Sequence, residues 1–586
     1  MSRTARTEVL ALLALTFVVS FCSFAYEFVY SELLTVMYGG TVTQYVITIG
    51  LYFVSLGVGS ALSDDLSDEK ASNLFRTEVY LALVAPAGFL LVVGLNSVRI
   101  PQAVPAELVW VAARTPVVVV GLLSGFELPL LTRMVDETGD GSAVLPPTAT
   151  RVAEAVHRGI VGLLSLGWHT ERASNERSGL SLVLAMDYLG GLVGAVVYAR
   201  VLYPGLGLIP TVFVLAFLNG LAALAVLGGY SSRWRLGGTR ARDRLVSRES
   251  AALVVVCLLV TASCGVAVAN SSTLDRELSE LYLEQQVENE YPPGAMSVDV
   301  LDQRTTPYQH VVAYERTWTG AGPNPHFAGE TERCLRLGDA VQLCESWADS
   351  YHQGLVDVPM SRFARSPDTN VLVVGGGDFV AVDYLREYGV SVDQVDLDAA
   401  FMAYAKEDPF LSRWHDGSYR YDRLNTTVGD GYAYLSETDE KYDLVLLDVP
   451  GATDDDLLSL YSTEFYRSIK DNLTPEGVVA VWVYDENAYA QHNKAFVNTV
   501  GDAGFTRYAP YWAWEDVDRD GTEERVERFY LLAPGERSGF DVERGTPYVR
   551  AHRDRYRDLR WRELPRYNGV EVNSIFDPNY DVLVDT

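Results

Sequence analysis

The sequence predicts two architectures in one chain: a multi-span α-helical membrane domain, followed by a soluble α/β unit built on a doubly wound sheet. Three observations predict it. Seven apolar stretches, each long enough to cross a bilayer, occupy the first 270 residues. From residue 371 onward, short β-branched runs alternate with helix-like stretches, the pattern of a mainly parallel sheet. Charge is divided in the same way: residues 1–270 carry 18 basic and 19 acidic side chains, whereas the remaining 316 carry 29 and 58.

The apolar stretches run at 9–36, 43–63, 78–96, 112–132, 181–203, 208–229 and 251–270. The first is too long for a cleaved signal peptide, carries Glu27 and Glu32, and precedes six more. Basic residues alternate between the loops. One side holds Arg3, Arg6, Lys70, Arg76, five arginines between 133 and 177, and six more between Arg233 and Arg248; the other holds Arg99, Arg114 and Arg200. Positive charge accumulates on the cytoplasmic side, so the N-terminus is expected inside and, after seven crossings, the C-terminal unit outside. An eighth span within 151–180 would reverse that orientation. Acidic groups inside spans are costly unless they face protein or water, which makes Glu27, Glu127 and Asp187 candidates for an internal polar site, with helix packing as the plainer alternative. Gly190-x-x-x-Gly194 has the spacing of a close helix contact.

Lysine is scarce, at five residues, so arginine supplies most positive charge. A carboxylate-rich, lysine-poor surface stays hydrated in concentrated salt, and a halophilic setting is expected. Runs such as Asp454-Asp455-Asp456 read as solvated surface, no metal site is assigned, and nucleic-acid binding is disfavoured because the soluble half has no basic face. Of five cysteines, Cys22, Cys257 and Cys264 fall in spans. Cys334 and Cys344 lie symmetrically about Asp339, and in a symmetric hairpin would be directly opposed and close enough to bridge, chance placement being the alternative. A bridge implies an oxidising compartment.

In the soluble half, Val371–Val374 ends in Gly375-Gly376-Gly377-Asp378, and Val392–Val395 ends in Asp396-Leu397-Asp398. A turn at Val428-Gly429-Asp430-Gly431 and the run Tyr442–Asp448 follow, then a helix from Thr463, a strand at Val478–Val483, a helix near 492–503 and two closing strands. Ligands in such sheets bind beyond the carboxyl ends of the strands. Gly377, Asp396, Asp430 and Asp448 all fall there. Asp396, 19 residues after Gly377, is placed to meet the ribose hydroxyls of a nucleoside. The third glycine of a dinucleotide fingerprint is missing, and Phe379 and Val380 leave little room for a pyrophosphate, which argues against NAD.

Read in order, these residues resemble the spermidine synthase (polyamine aminopropyltransferase) family over roughly residues 295–535. Pro307-Tyr308-Gln309 resembles its "PYQ" strand, Leu337-Gly338-Asp339-Ala340-Val341-Gln342 its "LDGxxQ" hairpin, and Tyr351-His352-Gln353 its "YHE". The spacing continues through Gly375–Asp378, Asp396–Asp398, Gly429–Gly431, Leu447-Asp448 and Leu460–Tyr466. The membrane half is similar to the multi-pass extension of some members, with Tyr26-Glu27 and Leu33-Leu34 in the first span. The resemblance implies a Rossmann-like, methyltransferase-type sheet preceded by a small β-hairpin domain, with boundaries at 1–270, 271–365, 366–535 and a C-terminal tail at 536–586.

It also implies a reaction: transfer of the aminopropyl group of decarboxylated S-adenosylmethionine, a co-substrate rather than a cofactor, to an amine, with release of methylthioadenosine. Asp448 matches the catalytic aspartate, and Tyr351 would orient the amine. Gln309, His352, Gly375, Gly377, Asp378, Asp396, Asp430 and Gly431 match the donor site, with Asp378 facing the aminopropyl ammonium and repelling the carboxylate of ordinary S-adenosylmethionine. The implied partners are a small amine, a sulfonium nucleoside and the lipid bilayer; a homodimer is one open arrangement. Three departures stand out. "GGGDGG" ends here in Phe379-Val380, which suggests a narrower donor pocket. The acidic pair before Tyr351 becomes Trp347-Ala348, with Asp349 displaced. The second aspartate of "DxxDPxGP" is missing from Asp448-Val449-Pro450-Gly451-Ala452. The alternatives are a membrane polyamine or nucleoside sensor or transporter without turnover, and another S-adenosylmethionine-type transferase.

Overall fold

The computed structural model describes residues 3–38, 41–97, 104–138, 179–230, 235–236, 239–240, 248–338, 340–451 and 455–583. The stretch at 151–178, most of the 233–248 loop, and Asp454 lie outside the described residues. Two compact units divide within the helix Ser271–Glu290, one ending at Tyr282 and the other running Leu283–Thr586.

Among the described residues of the first unit, seven helices are long and apolar enough to cross a membrane. They are α1 (Arg3–Tyr38), α2 (Thr41–Leu62), α3 (Lys70–Ser97), α4 (Ala106–Thr138), α5 (Gly179–Val197), α6 (Leu208–Tyr230) and α7 (Arg248–Ala269). A π-helical turn, Tyr198–Leu202, prolongs α5. The Gly190-x-x-x-Gly194 pair is used as its spacing suggests. A Cβ at Gly190 would sit 2.5 Å from the Phe17 carbonyl oxygen, and one at Gly194 would sit 2.6 Å from that of Phe21, so α5 lies directly against the backbone of α1. Glu27 and Glu127 face the interior, at 3 % and 4 % exposure. Asp187 is half-buried and accepts from the Ser20 hydroxyl.

The second unit opens with the rest of α8 (Ser271–Glu290) and an antiparallel sheet of β1 (Met296–Thr305), β2 (His310–Trp318), β3 (Thr331–Leu337) and β4 (Ala340–Cys344), in that order. The β3–β4 hairpin is less symmetric than expected. Its turn is centred one half-residue earlier, with Leu337 opposite Ala340 and Gly338 at φ +60. A register shift between Leu335 and Arg336 then leaves Gln342 as the extra residue. That bulge restores Cys334 opposite Cys344, where they form a disulfide.

After α9 (Ala348–His352) comes the main sheet. It contains β5 (Asn370–Gly375), β6 (Ser391–Asp396), β7 (Leu424–Val428), β8 (Tyr442–Asp448), β9 (Leu473–Trp482), β10 (Arg507–Glu515), β11 (Arg525–Ala533) and β12 (Arg562–Glu563), in the order β12-β10-β11-β9-β8-β5-β6-β7. Strands β7, β6, β5, β8 and β9 are parallel neighbours, and β11 runs antiparallel to β9 and β10. Helices α10 (Val380–Arg386), α11 (Ala399–Glu407), α12 (Gly431–Glu437), α13 (Thr463–Asp471) and α14 (Ala490–Asp502) supply the crossovers.

Both faces of the sheet are buried, which is why the strands read as unbroken apolar runs. Val371, Val373, Leu444 and Leu446 belong to one core, and Leu372, Val374, Val445 and Leu447 to the other. Residues 536–583 are not a free tail. β12 pairs with β10, Asn573 donates to the Leu458 carbonyl, and Val549 and Tyr556 enter the core. Leucine at Gly194 would drive α5 off α1; about 1–3 kcal/mol is expected to be lost, seen as a lower thermal midpoint of the full chain in detergent, and an unchanged midpoint would contradict the packing.

Candidate active site

Strand register sets the rim. Asp448 lies opposite Gly375, Val374 opposite Val395, and Asp396 opposite Val428, so four parallel strands end at one level. The chain leaves β5 through glycines because nothing else fits. Gly375 has φ +86, and a Cβ there would stand 2.1 Å from the Asp448 carbonyl oxygen. At Gly376 it would meet Asp448 Oδ2 at 2.8 Å, and at Gly377 it would meet Asp396 Oδ2 at 2.9 Å. The glycine loop therefore runs in contact with both carboxylates.

Asp448 is the centre of the site. Its Oδ1 accepts from the Tyr351 hydroxyl at 3.1 Å, and its Oδ2 is buried with no hydrogen-bond partner. Burial, and then the nearby charge of Asp378, push its carboxyl up to about 7. Its other neighbours divide: the Tyr351 bond favours the ionised form, and Asp396 opposes it. Asp396 itself is pushed up to about 6, chiefly by burial.

Tyr351 and His352 end α9, which passes into a π-helical turn at Gln353–Asp357, a distortion frequent at functional sites. His352 is 2 % exposed. Its Nδ1 lies 2.8 Å from the Ala348 carbonyl, so in the neutral ring Nδ1 carries the hydrogen and Nε2 is an acceptor. That Nε2 is buried without a partner. Ligand atoms of His352, Asp378 and Asp448 lie within 4.8 Å of one another. The result is a cup of three acceptors with no donor of its own among the described residues.

The other expected residues surround it less directly. Asp378 Oδ1 accepts from the Val380 N–H at 2.9 Å, leaving the second oxygen for the cup. Asp430 is exposed and caps α12 through the Ala433 N–H at 2.7 Å, while Gly431 is buried against Val374. Gln309 donates to Asp398 Oδ2 at 3.2 Å, and Thr306 donates to the same oxygen at 2.6 Å. The expected narrowing by Phe379 does not occur through its ring. That ring is 0 % exposed and packs in the core near His415 and Tyr419, although its backbone has φ +66. The displaced Asp349 accepts from the Tyr384 hydroxyl at 2.7 Å.

Sequence reasoning missed two supporting residues. Asp398 caps α11 through the N–H groups of Ala400 and Phe401 and anchors the loop of Thr306 and Gln309. Its signal was an acid immediately before a helical run. Gln394 is 1 % exposed, and its amide donates to the carbonyls of Gly375 and Gly376, pinning the glycine loop. Its signal was weak, because Asp393 beside it in the same strand is polar too. A loop between β10 and β11 was also passed over: oxygens of Asp516, Asp518, Asp520 and Glu524 lie within 4.8 Å, in the D-x-D-x-D-G spacing of calcium loops, at a partly exposed position.

The parallel order with its antiparallel closing strand, and ligand groups on the carboxyl rim, define a Rossmann-like, methyltransferase-type domain. Within that class, residues 348–513 match the family model described as "Spermine/spermidine synthase domain", and the chain carries that domain. The chain is 24% identical over 466 residues to the polyamine aminopropyltransferase of Oceanobacillus iheyensis, covering 79% of this chain and 75% of the relative. It is 27% identical over 478 residues to polyamine aminopropyltransferase 1 of Streptomyces coelicolor, covering 80% and 75%. The solved spermidine synthase of Thermotoga maritima is 19% identical, with a TM-score of 0.33 over 46% of this chain and 81% of that one.

Alanine at Gly375 has to find room beside the Asp448 carbonyl at a backbone angle that L residues avoid. A loss of about 1–3 kcal/mol is expected, measurable as a lower thermal midpoint of the full chain; wild-type stability would mean that the loop is not packed as described.

Proposed function

We propose that this chain is a membrane-anchored aminopropyltransferase that moves the aminopropyl group of decarboxylated S-adenosylmethionine to a polyamine-type amine. The observation that carries the reading is the cup of His352, Asp378 and Asp448. A primary ammonium offers three N–H donors, and the cup offers three acceptors, two of them buried and otherwise unpartnered. A carboxylate at that place would meet Asp378 and Asp448 and be repelled, so a donor that has lost its carboxylate is preferred over one that retains it.

The acceptor amine arrives as an ammonium, with a pKa of about 10 when unperturbed. Asp448 removes its proton. The freed nitrogen lone pair attacks the aminopropyl carbon attached to sulfur, a C–N bond forms as the C–S bond breaks, and the bonding pair returns to sulfur. The sulfonium thereby becomes the neutral thioether of methylthioadenosine, and the proton leaves Asp448 for solvent. Tyr351 holds Asp448 Oδ1 in place so that Oδ2 faces the amine. Asp396 and Asp430 meet the ribose and adenine. The acceptor is expected on the side of the loop after Asp448, where the Tyr461 hydroxyl donates to the Pro450 carbonyl.

The arginine distribution and the Cys334–Cys344 bridge both support a multi-pass arrangement with the catalytic unit outside the cytoplasm.

Two measurements test this reading. Purified full chain, given the decarboxylated donor and a panel of amines, is expected to release methylthioadenosine, and Asp448→Asn to reduce release by roughly 10²–10⁴-fold; equal rates would overturn the assignment. The sign of the pH dependence follows from the raised Asp448 carboxyl. Below about 7 it is protonated and unable to act as base, so kcat/KM should climb with pH and level off above about 7. Tyr351→Phe removes a bond to the ionised form, so that limb should move to higher pH. Sidedness is a separate question: protease added to intact cells is expected to cut within 283–586, and complete protection would refute the outward placement.

A further inference from the structure

The helical unit gathers acidic side chains of its own. Beyond Glu27, Glu127 and Asp187, it holds Glu78, two turns inside α3 and 0 % exposed. Asn219 Oδ1 accepts from the Tyr26 hydroxyl at 2.9 Å, which turns its amide nitrogen toward Glu78 Oε2, a donation of 2.8 Å. The remaining oxygen of Glu78 and Oε1 of Glu127 are buried with no donor. These two carboxyls are nonetheless neighbours at hydrogen-bonding range. A carboxylate has no hydrogen to give, so the contact is made only if the pair holds a proton.

Charge supplies the second half of the argument. The ionisable groups facing the pair are Cys22 and Tyr26 from α1, Tyr52 from α2 and Asp187 from α5; Glu27 and Cys264 flank Tyr52 and Tyr26. All are acidic or neutral. No ion pair to Lys or Arg among the described residues includes Glu78, Glu127 or Asp187. Two ionised carboxylates enclosed by apolar helices without a cation would carry an uncompensated cost. Acids buried in spans without such a partner mark proton or cation pathways.

We propose that Glu78 and Glu127 form a proton-binding carboxyl pair inside the helical unit, holding one shared proton that exchanges with solvent. Asp187, half-buried and bonded to Ser20, is the less enclosed neighbour through which the proton leaves. The site is separate from the transfer reaction and stands or falls without it. Reversible protonation at an enclosed acid pair is the elementary event of a proton-coupled exchanger, which gives the helices a task besides anchoring.

The test is infrared difference spectroscopy on full-length protein in lipid nanodiscs, titrated from about pH 5 to about pH 9. Wild type should show a carboxylic-acid carbonyl band that loses more than half its intensity across that range. Because the proton is shared, Glu78→Gln and Glu127→Gln should each shift the frequency and the pH range of this component, read in the wild-type-minus-variant difference, whereas Asp64→Asn, at an exposed acid, should leave the spectrum unchanged. Elution of each variant as the wild-type species reports folding, and either glutamine variant alone suffices if the other fails that check. A component absent from wild type, constant with pH, or unshifted in a folded glutamine variant would overturn the proposal.

Discussion

Three carboxylates brought to one strand rim without a counter-charge set the terms for the rest of the soluble unit. Burial raises the carboxyls of Asp396 and Asp448, and the nearby charge of Asp378 adds to it. Left to itself the rim would splay. It is held by groups that do not depend on ligand: the Tyr351 hydroxyl on Asp448, the Val380 N–H on Asp378, the Asp398 N–H on Asp396, and Gln394 beneath the glycines. The unspent part of that electrostatic imbalance is what an ammonium and a sulfonium would neutralise. Preorganised charge of this kind costs stability in the free protein and favours a cationic ligand.

Much of this was legible in the sequence because strand ends are marked by composition. Val371–Val374 and Leu444–Leu447 are apolar on both faces, Val392–Val395 begins and ends in valine, and each stops at a glycine or an acid. A glycine or an acid after a buried strand has few structural reasons to be there, so Gly375, Asp396 and Asp448 could be picked out individually. Asp430 was visible for a related reason, as the residue between two glycines.

What was not legible depends on three-dimensional neighbours. Gln394 is an ordinary strand residue until the carbonyls of Gly375 and Gly376 are placed above it. The hairpin needed a bulge at Gln342 to align its cysteines, and a bulge leaves no one-residue signal. β12 is two residues long and pairs with a strand more than fifty positions earlier, so residues 536–586 read as a tail. Glu78 lay at the edge of an apolar stretch, and only the two further turns of α3 before it show that it is interior.

Phe379 gives the glycine loop a different character from its wording. The residue closing the turn is held left-handed by a fully enclosed ring, so a backbone cost of about 1–3 kcal/mol is met by side-chain packing. Where two glycines would let a loop adapt as a guest enters, an aromatic bolt fixes its curvature during folding. The rim is therefore rigid at the glycine loop, and any adjustment to the size of an incoming molecule falls to the segment beyond Asp448.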